Sequence, residues 1–224
     1  MKPSSNNRIY QQPQPPLSGT VRVIALGVDP DGRAWVATDR FFAHPRGGGQ
    51  QEDRGRLGAA TLVSVVNDET YGVKHYVSSI EGMLVDGELD VEIDPLWRRL
   101  QARSHTAGHA LDAVMRSLEP SLEPVAAHHW LREQRVEWRG SPTALSSLAD
   151  RLRDAVHALS LRRAPVILGA DALARRTVTI DSATTYCGGT HLDDCGPLDT
   201  LLIRNVKEKG GRVRVGYGFP DETA

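Results

Sequence analysis

The chain of 224 residues carries 40% hydrophobic and 25% charged side chains, the balance of a folded globular protein rather than a disordered or fibrous one. Its formal net charge of -1 lacks the dominant basic field with which proteins coat nucleic acid without specificity. No apolar run approaches the roughly 20 residues that cross a bilayer, and Met1-Lys2-Pro3-Ser4-Ser5-Asn6-Asn7 lacks the apolar stretch of a secretion signal, so a cytoplasmic location without a membrane partner is expected.

In chain order, residues 1–17 cluster Gln and Pro (Gln11-Gln12-Pro13-Gln14-Pro15-Pro16) and read as a mobile tail with nothing to bury. Residues 18–95 carry strand signals. Val21-Arg22-Val23-Ile24-Ala25-Leu26, an Asp31-Gly32 turn and Ala34-Trp35-Val36-Ala37 are followed by runs at 60–66, 74–77 and 89–93, a pattern that predicts a small antiparallel barrel.

In residues 96–224 the period changes. Ala107, Ala110, Leu111, Val114, Met115 and Leu118 recur at helical spacing behind Ser104, an expected N-cap. A second amphipathic helix sets Leu145, Leu148, Leu152, Val156 and Leu159 on one face. Strands return at 177–180 and 201–206, and Lys209-Gly210-Gly211-Arg212 reads as a hairpin turn into 213–217. The expected class is α+β: a small N-terminal β-barrel followed by an α+β domain.

His105 and His109, four apart on the first helix, project from one face and can meet one ion. Cys187 and His191, in Tyr186-Cys187-Gly188-Gly189-Thr190-His191, form a second pair around two glycines that permit a sharp bend. Imidazole with thiolate favours zinc over magnesium or calcium. Neither pair is specific alone, but each supplies what the other lacks. Cys195 reads as a buried thiol, although it too is a possible ligand. A zinc protease is disfavoured, because Thr106 follows the first His and the helix supplies no Glu as general base.

His105-Thr106-Ala107-Gly108-His109 and Cys187-Gly188-Gly189-Thr190-His191 resemble the metal motifs of alanyl-tRNA synthetase editing domains and their freestanding relatives, the AlaX proteins. The stretch from Asp39 to Gly55, with Gly47-Gly48-Gly49-Gln50 followed by Asp53-Arg54-Gly55, resembles a third motif of that family, and the three occur in the family's order. The resemblance implies an editing core that holds zinc on His105, His109, Cys187 and His191, with His105 and His109 at the reacting centre. It also implies the acceptor end of a tRNA carrying a noncognate amino acid as partner, and a trans-acting hydrolase whose zinc either activates water or anchors the substrate. Serine or glycine on alanine tRNA is the usual target of such editors.

Gly48, Gly49, Gln50 and Thr190 are further candidates for contact with the substrate. Residue type alone equally allows a barrel turn whose Gln50 satisfies backbone groups. His128, His129 and Trp130 stand where relatives contact the amino-acid moiety, and with Val136-Glu137-Trp138-Arg139-Gly140 they resemble a branch that includes fluorothreonyl-tRNA deacylases. That branch makes a threonine analogue the alternative target. These three side chains are equally compatible with core packing. Arg98, Arg99 and Arg103, or Lys207, Lys209, Arg212 and Arg214, can hold acceptor-stem phosphates or form solvated faces. A zinc-stabilised RNA-binding module without activity, and a hydrolase of another ester, are the alternatives from other classes. The sequence leaves the oligomeric state open.

Overall fold

The computed structural model describes residues 7–222, which divide into two compact units. One runs to Gly47 and from Gln51 to Arg99; the other comprises Gly48–Gln50 and the chain from Leu100 onward.

In the first unit, β1 (Ser18–Val28), β2 (Ala34–Thr38), β3 (Gly55–Leu57), β4 (Ala60–Asp68), β5 (Gly72–Val77) and β6 (Glu88–Ile93) close a barrel in the order β1-β2-β5-β4-β3-β6. Alternation along β1 and β6 sends Val21, Val23, Val91 and Ile93 inward, where they meet Val36, Val65, Val73, Phe41 and Phe42. The turn after β1 needs a positive φ, which Gly32 supplies at 82°. Gly55 has a different role: a Cβ there would lie 2.1 Å from the Glu92 carbonyl oxygen, so only glycine lets β3 approach β6.

The tail expected over residues 1–17 falls partly on residues 1–6, outside the described residues. Among the described residues of this stretch Tyr10 does have something to bury: it is 2% exposed and packs edge-on against the His44 ring, and its N–H donates to the Phe41 carbonyl.

The helix expected behind Ser104 begins ten residues earlier: α1 is Pro95–Leu118. Asp94 caps it by accepting from the Trp97 N–H at 3.0 Å, and Pro95 occupies the first helical position, where a missing N–H costs nothing. Ser104 lies mid-helix. Arg98, a candidate for phosphate, is instead 5% exposed and forks onto the buried carboxylate of Asp53 at 2.5–3.0 Å while donating to the Phe42 carbonyl. Asp53 also accepts from the His44 N–H, so the Asp-Arg-Gly segment serves as an internal ion-pair anchor.

In the second unit a four-stranded sheet orders β12 (Leu202–Lys209), β13 (Arg212–Gly218), β8 (Arg135–Arg139) and β7 (Glu123–His128), and a three-stranded sheet orders β11 (Ala183–Tyr186), β10 (Arg176–Ile180) and β9 (Val166–Ala170). These sheets share a core with α1 and α2 (Leu145–Leu161) built on Leu111, Met115, Trp138, Leu148, Leu152 and Tyr217. The β12–β13 hairpin turns on Gly210 and Gly211 at φ 60° and 68°, as a two-residue type I′ turn requires. Among the described residues no helix is long and apolar enough to cross a membrane.

Candidate metal centre

His105 and His109 occupy successive turns of α1, with ring centroids 5.1 Å apart and planes nearly parallel. Cys187 and His191 approach them from the segment after β11. The donor atoms of His105, His109, Cys187 and His191 all lie within 4.8 Å of one another. Cys187 Sγ stands 3.3 Å from His105 Nε2 and 3.5 Å from His191 Nε2. Tetrahedral zinc with ordinary Zn–S and Zn–N bonds sets such ligand atoms about 3.5 Å apart, so the cluster has the size of a zinc site. The Nε2 of His109 is buried and makes no hydrogen bond, a cost that a metal bond would remove.

Electrostatics agree with the donor set. Burial pushes the His109 pKa down to about 4, which keeps the imidazole neutral and its lone pair available. Burial likewise raises the Cys187 thiol pKa, so the thiolate needs a cation beside it.

The second unit braces this cluster from behind. Gln50 is fully buried, and its Oε1 lies 2.7 Å from His105 Nδ1 and accepts the Thr190 N–H at 3.0 Å, while its Nε2 donates to Thr190 Oγ1 at 2.9 Å. Because that oxygen only accepts, His105 carries its proton on Nδ1 and turns its Nε2 lone pair toward Cys187. Gly49, at φ 77°, comes so near the Ala127 carbonyl oxygen that a Cβ would sit 2.7 Å from it, and its own carbonyl accepts the His129 N–H. Gly48, at φ 59°, is exposed.

Two motif glycines exist to admit imidazoles. A Cβ on Gly108 would lie 2.3 Å from His129 Cε1, and one on Gly189 would lie 2.2 Å from His105 Cε1. Neither Gly188 nor Gly189 has a positive φ, so the expected glycine bend is in fact a requirement for space at Gly189.

His129 is 3% exposed, with its ring stacked 4.3 Å from that of His105 and its Nδ1 2.6 Å from the Tyr217 hydroxyl. That hydroxyl donates to the Ser104 carbonyl at 2.9 Å, so His129 donates to it, and Ser104 Oγ closes the loop on the His129 carbonyl. The contacts of His129 are therefore with the scaffold of the cluster. The His128 ring lies 5.0 Å from that of Trp130, tilted by 34°, and faces Glu133 at 3.4 Å. Cys195 stands apart from the donor group as a buried thiol whose pKa burial lifts to about 11.

Several supporting residues escape a reading of the sequence. Arg176 donates to the carbonyls of Cys187 and Gly189 at 2.8 and 3.0 Å, and Thr106 Oγ1 accepts the Leu192 N–H at 3.0 Å. Tyr217 orients His129. Each acts across 11 to 88 positions, and the partners carry no local signal. Of the other cations considered for phosphate, Arg103 pairs with Asp221 at 2.5 Å and covers the Phe219 ring.

No family model matches the chain. It is similar to the alanyl-tRNA editing protein AlaX-M of Pyrococcus horikoshii, 26% identical over 161 residues that cover 71% of this chain and 74% of that protein. It is also similar to alanine–tRNA ligases: that of Methanopyrus kandleri, 31% identical over 48% of this chain and 12% of the ligase, and that of Bifidobacterium longum, 28% identical over 84% and 25%. The chain thus spans a quarter or less of the length of these ligases.

Proposed function

We propose that the chain, like the alanyl-tRNA editing proteins of the AlaX family that it resembles, acts in trans as a zinc-dependent deacylase, hydrolysing the ester of tRNA charged with a noncognate amino acid. The observation that carries this reading is the four-donor cluster with Gln50 fixed behind His105. His105, His109, Cys187 and His191 would hold the metal. A zinc ion there supplies a Lewis acid that polarises an ester carbonyl or lowers the pKa of water.

The chain's own residues set the conditions for that chemistry. Gln50 holds one tautomer of His105, and Tyr217 holds the ring of His129 against it, so neither imidazole needs to reorganise during turnover. A hydrolytic site needs an open coordination position, and four protein donors fill a tetrahedron. One of the four must therefore yield, or the ion must accept a further ligand, for water or an ester to reach the metal. The favoured substrate is serine or glycine on alanine tRNA. The threonine-analogue alternative rests on His128, His129 and Trp130, and of these His129 makes its contacts with the scaffold of the cluster.

The test is to present purified protein with tRNAs carrying serine, glycine, alanine, threonine and a threonine analogue and follow release of the amino acid. Fast release of serine or glycine with slow release of alanine supports the proposal. Cleavage of simple esters with indifference to every charged tRNA contradicts it.

A further inference from the structure

The face of the four-stranded sheet that points away from the core is basic. Register places Arg139, Arg212 and Lys209 in one row and Arg214 with Lys207 in the next, with Arg135 beside Gly216. The facing carboxylates are Glu123, opposite Arg139, and Glu137, which is 11% exposed at its side chain. Glu137 is shared by Arg214 at 2.8 Å, Arg135 at 3.6 Å and Arg212 at 3.9 Å, and one carboxylate cannot neutralise three guanidinium groups. In a chain of net charge -1 this concentrates cations on one surface of the second unit.

The face is also shaped. Gly216, without a side chain, lies in a cleft of about 420 Å³ whose walls are Arg132, Arg135, Arg204, Lys207 and Arg214. Arg204 is held in place by donating to the carbonyls of Arg132 and Gln134 at 2.8 and 3.0 Å. Two carboxylates stand beside it: Glu133, which faces His128, and Glu222, which accepts from Gln134 Nε2 and from the Arg132 N–H at 3.3 Å. The side chains repeat about every 7 Å along each strand and about 5 Å between strands. That regular spread matches a repeating polyanion better than a single small anion.

We infer that this face is the docking surface for RNA backbone phosphates, holding the RNA by charge. The inference rests on the deacylase reading for the identity of the RNA. Phosphate contacts position a nucleic acid without reading its sequence, and each one released to solvent leaves its mark as salt dependence.

The test is the variant Arg132→Asn, Lys207→Gln, Arg214→Gln. Asn tolerates the left-handed backbone of residue 132 (φ 70°), and all three side chains are exposed. Binding of uncharged tRNA should weaken at least tenfold at 0.1 M salt, and the slope of log K against log salt should become shallower by about two to three. The rate on serine esterified to adenosine, which has no backbone to dock, should be unchanged. Unaltered tRNA affinity and slope would overturn the inference, as would an equal loss on the adenosine ester. Displacement of tRNA by polyglutamate more readily than by an RNA duplex of equal charge would also overturn it and assign the face to an acidic protein. If the parent protein binds tRNA through this face yet cleaves no aminoacyl ester, the docking surface stands and the deacylase reading alone falls.

Discussion

The side-chain oxygen of Gln50 lies 2.7 Å from His105 Nδ1, so a residue of the glycine-rich loop sets the protonation of an imidazole on α1. Such second partners commonly contribute 10–100-fold to metal affinity. Gln50→Leu removes the acceptor at nearly constant volume and also leaves the Thr190 N–H without its partner. Zinc affinity, measured by competition with a chromogenic chelator, should fall by about that factor. Unchanged affinity would show that His105 is oriented by packing alone.

A methyl group at residue 189 has nowhere to go. Gly189→Ala should force the His105 ring away from Cys187 and from Gln50, with an overpacking cost of about 1–3 kcal/mol. Urea unfolding reads the stability and elemental analysis reads the metal. Loss of zinc at small stability cost is expected, whereas full occupancy would mean that the segment shifts as a body.

The two helix histidines should differ. His105 is held by Gln50 and touches Cys187, while no hydrogen bond to the His109 side chain holds it in place. His105→Ala is expected to abolish binding of about one zinc per chain, and His109→Ala to retain part of it while losing deacylation. The reverse order of zinc contents would show that the Gln50 contact does not rank the two donors.

Within the barrel, His75 is 3% exposed and burial pushes its pKa down to about 4, against 6.5 when unfolded. The folded state therefore binds the proton less readily than the unfolded chain. Its contribution to stability is whole above pH 6.5 and is lost as pH falls toward 4, about 3 kcal/mol by linkage. Urea titrations of the metal-free protein between pH 7 and 4 should lose that much more stability than His75→Gln does. Parallel pH profiles would show that His75 does not titrate in this way.

Barrel strands and helix faces were legible because period-2 and period-3.6 burial is written locally, and the His105/His109 pair followed from the same periodicity. The start of α1 was misread because Arg98 and Arg99 look like solvated residues. The true signal was Asp94-Pro95, a cap followed by the one position where proline favours a helix. The roles of Gln50, Tyr217 and Gly108 were out of reach, since each depends on a partner brought near by the fold: His105, His129 and again His129. Strands β7, β9 and β11 are short and largely exposed, so their alternation is too weak to read.

The central claim joins one metal site to one reaction, and a single titration reaches both. Metal-stripped protein is returned to stoichiometric zinc in steps, and release of serine from mischarged alanine tRNA is followed at each step. The account predicts a rate near background without metal, rising in proportion to bound zinc and ending at about one ion per chain. Full activity in the stripped protein, or none at saturation on any mischarged tRNA, would contradict it.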